Sequence, residues 1–266
     1  MQRGRFYKNY KIYLIAFAIT IVCCGCGDKQ GIPEEQKEVL TKYLNAADVV
    51  KTDIVTPGEN SALSTIMAYY YDDVNELFNE GDTAVYGEVT GVEYYNVGDG
   101  LIWSRVYVNI LESIKGNLSE GDTIVIIKLG GYDTVKSYIE SFSETEVLYR
   151  HVAEAYDDFT EKEKENSFVE TTDGTPLAST GDRSVYYLLE DTPFSTEDDK
   201  VYEVLGAYWG EFRQVNNGSF VRISTGMFSD MDVVEVSAVT DKMIKTARTY
   251  NYVELKDLIL NPPATE

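Results

Sequence analysis

Few residues in this 266-residue chain could do chemistry, apart from its carboxylates. Any Ser-His-Asp or Cys-His triad would have to use the single histidine, His151. His151 stands in an acidic stretch with helical spacing, and no nucleophile elbow accompanies it. No His-Glu-x-x-His pair offers a zinc site, and no glycine pattern of the phosphate- or dinucleotide-binding type occurs. No catalytic residue and no metal ligand is therefore assigned. The carboxylates are plentiful, 45 in all. A glycosidase needs two of them flanking a sugar cleft, and the sequence does not pair any two. Asp157-Asp158, Asp198-Asp199 and the run Asp230, Asp232, Glu235 offer hard oxygen ligands. None has the glycine and twelve-residue spacing of an EF-hand. The expectation is no cofactor, with calcium the one cation that this charge density would suit.

Aromatic residues are the other candidates. Tyr69 and Tyr70, Trp103, and the pair Tyr208-Trp209 could contact a ligand by stacking on sugar rings or partner surfaces. Packing in a strand core explains the same residues. Tyrosine dominates the aromatic share, 21 against 10 Phe and 2 Trp, as suits strand surfaces.

The net charge of −22 excludes some partners. Such a chain repels phosphate backbones, so nucleic acid is not an expected partner. An anionic lipid surface would repel it too, so membrane attachment requires a covalent or hydrophobic anchor.

The N-terminus supplies that anchor. Residues 1–11 carry Arg3, Arg5, Lys8 and Lys11, residues 12–22 are apolar, and small residues follow. Basic, apolar and cleavage regions in that order make a secretory signal. The apolar run is shorter than the roughly 20 residues of a membrane span. All three cysteines, Cys23, Cys24 and Cys26, lie at its end. Gly25-Cys26, followed by Gly27-Asp28, resembles the lipobox of bacterial lipoprotein precursors, which ends in a small residue and the lipidated cysteine. Cys23 and Cys24 depart from the aliphatic and small residues usual there. The resemblance implies cleavage before Cys26, lipid on Cys26 and residence on the outer face of the cell membrane. Loss of the four basic residues takes the charge from −22 to −26. One cysteine then remains, and no disulfide framework.

The elements that must position any site follow. Residues 1–25 read as signal peptide and 26–34 as lipidated tether. Residues 35–80 read as an N-terminal helical region, with helices to about residue 50, over 61–70 and over 72–79. Residues 81–266 read as a β-rich domain. Strands are expected at 83–95, 102–114, 123–129, 184–189, 201–209, 210–215 and 219–223. The turns lie at Asn96–Gly100 and Asn216-Asn217-Gly218. In 102–114, Val106, Val108 and Ile110 share one face, and Arg105, Tyr107 and Asn109 the other. Gly-Asp turns recur at 81–82, 121–122 and 181–182. Residues 133–166 read as an inserted acidic helical segment, and helices return after Ser229 and near Tyr252. The fold class is α+β: an antiparallel sheet of about six or seven strands, or a small partly closed OB-like barrel, with flanking helices.

Three segments resemble an uncharacterised domain of Gram-positive lipoproteins and surface proteins. They are Asp82–Glu93, Val108–Gly116 leading into Gly121–Ile126, and Tyr186–Glu190 with Tyr202–Phe212. The pattern is also weakly similar to the OB-like domain of metalloproteinase inhibitors and netrins, whose cysteines are absent here. The resemblance implies a fold more than an activity. Together these readings lead us to expect a membrane-anchored, extracytoplasmic binding or assembly domain, its partner a surface protein or wall glycan. The alternative is a carboxylate-dependent surface hydrolase acting on wall glycan.

Overall fold

The computed structural model describes residues 43–55, 74–142, 147–172, 176–190, 192–196, 199–215, 217–224, 233–235 and 249–264. All belong to one unit, Leu40–Glu266. In chain order the elements are β1 (Leu44–Asn45), β2 (Ile54–Val55), α1 (Val74–Glu80), β3 (Thr83–Asn96), β4 (Ile102–Lys115), β5 (Thr123–Leu129) and β6 (Gly131–Thr134). Helices α2 (Val135–Glu140), α3 (Val147–Ala155) and α4 (Glu161–Asn166) follow, then β7 (Phe168–Thr171), β8 (Arg183–Leu189), β9 (Val201–Val204), β10 (Glu211–Gln214), β11 (Phe220–Ser224), β12 (Val233–Glu235), β13 (Thr249–Tyr250) and α5 (Tyr252–Leu260). The fold is α+β and largely sheet.

The β3–β4 hairpin is the frame. Its strands alternate buried and half-buried residues, so one face looks inward. Fourteen-residue strands cannot stay flat against a small core. Register shifts at Ala84/Val85, Tyr86/Gly87 and Val89/Gly91 bend the hairpin. The bend lets β3 pair with β8 through Thr83–Glu88 and with β1 through Glu93 and Tyr94. The chain of pairings β3–β4–β5–β9–β8 then returns to β3. The contact between β5 and β9 is parallel and the others are antiparallel. A helical crossover separates the third and fourth of these five strands. The arrangement is a partial ring and not a barrel. Twelve residue pairs join β3 to β4, but three join β5 to β9 and two join β8 to β9, so the closure is short.

Two Ser-x-Gly-Asp turns feed the ring in the same way. Gly121 and Gly181 take φ of 87° and 92°, a region that favours glycine. Each glycine N–H donates to the strand beside it, to Ile110 O and Val89 O respectively. The Asp122 and Asp182 carbonyls accept from the same two residues. The recurrence seen in the sequence is thus turn chemistry that starts β5 and β8.

The ring encloses one core, with Val89, Val92, Val106, Val108, Ile126, Tyr186 and Val204 inside and Val135, Tyr138, Phe142 and Tyr156 from the helical segment closing it. A second core lies on the far side of β8 and β10. There Leu77 and Phe78 of α1 and Leu255 and Ile259 of α5 meet Tyr187, Phe212, Phe220 and Tyr250. Each such side chain, fully buried, contributes about 1.5–3 kcal/mol. The larger sheet has ten strands, more than the expected six or seven, because β1, β12 and β13 are short additions to its rims. A second sheet, β2-β7-β6, has three.

Several expectations shift. Residues 43–50 are not helical: Leu44 pairs with Tyr94, and Asn45 Oδ1 accepts from Ala47 N to cap a short 3-10 turn instead. The helical segment begins at Val135, after β6 has paired with β7. The strand expected over 201–209 stops at Val204, where Gly206 and Ala207 turn left-handed with φ of 66° and 64°. Residues 206–209 bulge outward while Tyr187 bonds both Leu205 and Gly210, so β10 resumes along the same edge of β8. Within the expected late helices, Val233–Glu235 is a strand parallel to β11. The helices read over 61–70 and around 243–247 lie outside the described residues.

Candidate functional site on the outer face of the ring

The inner face of the ring is filled, so chemistry facing solvent must come from the outer one. The pleat that buries Val106 and Ile126 turns Trp103, Arg105 and Tyr107 of β4 outward, beside Leu129, Ile127 and Val125 of β5. On the other side of β4, the register sets Tyr95 opposite Trp103 and Glu93 opposite Arg105. On β9, Glu203 is level with Ile127. Rows of rings and charges thus cross four adjacent strands.

Two pieces of chain lean on this face. Tyr43, 44% exposed, meets the Tyr95 ring edge-on at 5.6 Å, and the Arg105 guanidinium lies 5.8 Å from its centroid. From the loop between β8 and β9, Phe194 packs on Trp103 at 4.8 Å. Asp199 takes both terminal nitrogens of Arg105, at 2.7 and 2.9 Å. That fork is the strong geometry for such a pair. It holds the Asp199 carboxyl below its ordinary range. Tyr107 donates to Glu93 Oε2 at 2.7 Å.

Glu203 differs from these acids. Among the described residues its carboxylate has neither a hydrogen bond nor an ion pair, and its strand neighbours across the ladders are Ile127 and Leu189. Burial alone pushes its carboxyl up to about 7. The Tyr95 hydroxyl is pushed up to about 12, chiefly by burial, with Arg105 opposing and the charges of Asp199 and Glu203 adding to it. Arg105, Asp199 and Glu203 therefore all sit within electrostatic reach of Tyr95.

Of the aromatic residues singled out in the sequence, Trp103 is on this face and half-buried. Tyr208 and Trp209 are not accessible. They are 3% and 0% exposed in the second core, stacked on each other at 5.6 Å, with the buried Arg222 guanidinium 4.5 Å over the indole. The bulge after β9 turns both rings inward, which a strand over 201–209 would not have done. Tyr69, Tyr70 and Cys26 lie outside the described residues. His151 is an exposed residue of α3. Asp157 and Asp158 are exposed turn residues, and among the described residues no group of three or more His, Cys, Asp and Glu could hold a metal. Tyr95, Glu203 and Glu93 went unrecognised in the sequence. Alternation had marked Arg105 and Tyr107 as sharing a face, but strand neighbours cannot be read from spacing.

A second polar cluster is structural. Glu211 accepts from Lys128 at 2.5 Å, from Arg213 at 2.9 and 3.0 Å, and from Ser184 at 3.1 Å. Burial opposes its charge, but Arg213 and Lys128 outweigh burial and hold the carboxyl well below its ordinary range. Asp182 lies 3.8 Å from Arg213, so two cations meet two anions. The cluster spans the gap where β10 leaves the ring and Lys128 reaches across from β5.

No family model, curated protein or solved structure matches this chain. Among the described residues no helix is long and apolar enough to cross a membrane.

Proposed function

We propose that this protein is a lipid-anchored, extracytoplasmic binding domain whose contact surface is the outer face of β3, β4, β5 and β9. The anchor is lipid on Cys26, and the partner is a wall glycan or a surface protein. One observation carries the reading: Tyr43, Tyr95, Trp103 and Tyr107 gather on one outward face, interleaved with Arg105 and three carboxylates. Aromatic rings with a polar tip suit a wet interface. The N-terminal signal and Gly25-Cys26 support the location, and an acidic body needs such an anchor at a lipid surface.

The test is crosslinking on intact cells with the full, anchored chain. A photoreactive group at Tyr107 should capture a reproducible glycan or protein adduct. The same group at Val253, exposed on α5, should not. Equal capture from both sites, or none from either, would refute this assignment of the face.

The other reading is a carboxylate-dependent hydrolase acting on wall glycan. Its supporting observation is Glu203, held near neutral pH as a general acid should be. Among the described residues the second carboxyl such an enzyme needs is not free on this face, because Asp199 is bound to Arg105 and Glu93 to Tyr107. Turnover of wall glycan abolished by Glu203→Gln would transfer the assignment to that reading.

A further inference from the structure

We infer that the outer face takes a glycan bearing free amino groups, its sugar rings lying on Trp103, Tyr95 and Tyr107 and an ammonium group pairing with Glu203. The inference rests on the reading of this face as the contact surface and names the chemistry it selects.

The first argument is charge. Three acids among the described residues lie on the face. Glu93 accepts the Tyr107 hydroxyl, and Asp199 is taken by the fork of Arg105. Glu203 alone has no partner among the described residues, and the side chains level with it, Ile127 and Leu189, have no polar group to offer. A half-buried carboxyl left in this state disfavours its own ionisation. A neutral or anionic ligand would leave that unchanged. An ammonium group restores the ionised form and gains a charge-assisted hydrogen bond. The net charge of −22 draws cations to the surface in general.

The second argument separates kinds of cation. A metal ion would need several oxygen ligands, and among the described residues no group of three or more acids, His or Cys gathers to supply them. An extended basic peptide would dock best by adding a strand, which needs an open edge. The outward residues Arg105 and Tyr107 belong to β4, which is paired to β3 on one side and β5 on the other. A ligand here must engage the face through side chains. Flat sugar rings do so by stacking on Trp103 and its neighbours, and the amino group supplies the charge.

The test is a binding titration with the full chain purified in detergent, at about 0.15 M salt, where screening over about 8 Å suppresses diffuse attraction. The probes are a glucosamine hexamer, its fully N-acetylated counterpart and oligolysine. Trp209 is buried, so a change in tryptophan emission reports on Trp103. The inference expects the free-amine hexamer to bind about tenfold tighter than the acetylated one. Glu203→Gln should bring the two within about twofold of each other, and Trp103→Ala, titrated by calorimetry because it lacks the reporting indole, should weaken both. Equal binding of the two hexamers by the wild-type chain would overturn the amine selection while leaving the face as a glycan site. Binding of neither hexamer would remove the glycan reading of the face as well. Oligolysine binding as tightly as the glucosamine hexamer would make the partner a basic polypeptide and overturn the inference.

Discussion

Replacing Glu203 by Gln should make the protein more stable, and more so as pH rises. The carboxyl is half-buried among apolar neighbours, and its folded value is pushed from 4.5 up to about 7. At a pH well below 4.5 both folded and unfolded chains hold the proton, and the group has no effect on stability. As pH rises from 4.5 to about 7, the unfolded chain releases the proton while the folded chain retains it, so stability falls. Above about 7 the loss is complete. At about 1.36 kcal/mol per pH unit the gap corresponds to about 3 kcal/mol, a ceiling because some water reaches the group. Glutamine has a similar shape and no charge to desolvate. The assay is urea unfolding of both proteins at several pH values between about 5 and 8. The difference between mutant and wild type isolates Glu203 from the other acids. It should grow over that range in favour of the mutant, by at most about 2.5 kcal/mol. A difference that stays constant with pH, or that grows in favour of the wild type, would refute the account of Glu203 as an unpaired buried acid.

Further outcomes are expected, two from the packing of the buried residues and one from the N-terminal sequence. Trp209→Ala should destabilise the protein by about 3–5 kcal/mol in unfolding experiments, since it empties a fully buried site beneath Arg222. Lys128→Met should cost about 3 kcal/mol by the same measurement, because Glu211 then keeps a buried charge with only Arg213 against it. Replacing both Lys128 and Glu211 by apolar residues should not cost the sum of the two single changes. Cys26→Ala should move the protein from the membrane fraction to the soluble one on cell fractionation, and its retention on membranes would end the lipobox reading.

Much of the ring was legible because its strands are long and alternate. Thr83–Asn96 and Ile102–Lys115 emerge within a residue or so of the bounds that strand patterning sets, and Thr123–Leu129 at the bounds of its continuous apolar run. Glycine and asparagine at the turns mark where they end, and the spacing of Leu255, Leu258 and Ile259 marks the last helix near Tyr252, where it starts. Residues 43–50 have a helical spacing of apolar side chains, yet Leu44 joins β3, because pairing with a strand outweighs a weak local preference. Tyr208-Trp209 read as strand residues with rings available to a partner. Two left-handed residues, one of them Ala207, turned them into the core, and nothing in the local pattern announces a left-handed alanine.

The sequence by itself determined the acidic charge, the absence of the usual catalytic motifs, the basic and then apolar order of the N-terminus and the division of β4 into an inner apolar and an outer polar face. These depend on residue type and on spacing along one strand, which the chain states directly. Tertiary structure decided the rest. It set Tyr95 opposite Trp103, placed Glu203 level with Ile127, gave Asp199 to Arg105 and left Glu203 with no partner among the described residues. Each of these joins residues far apart in the chain across neighbouring strands. The order of strands around the ring, and hence which side chains share a face, is set by how the β3–β4 hairpin bends and closes.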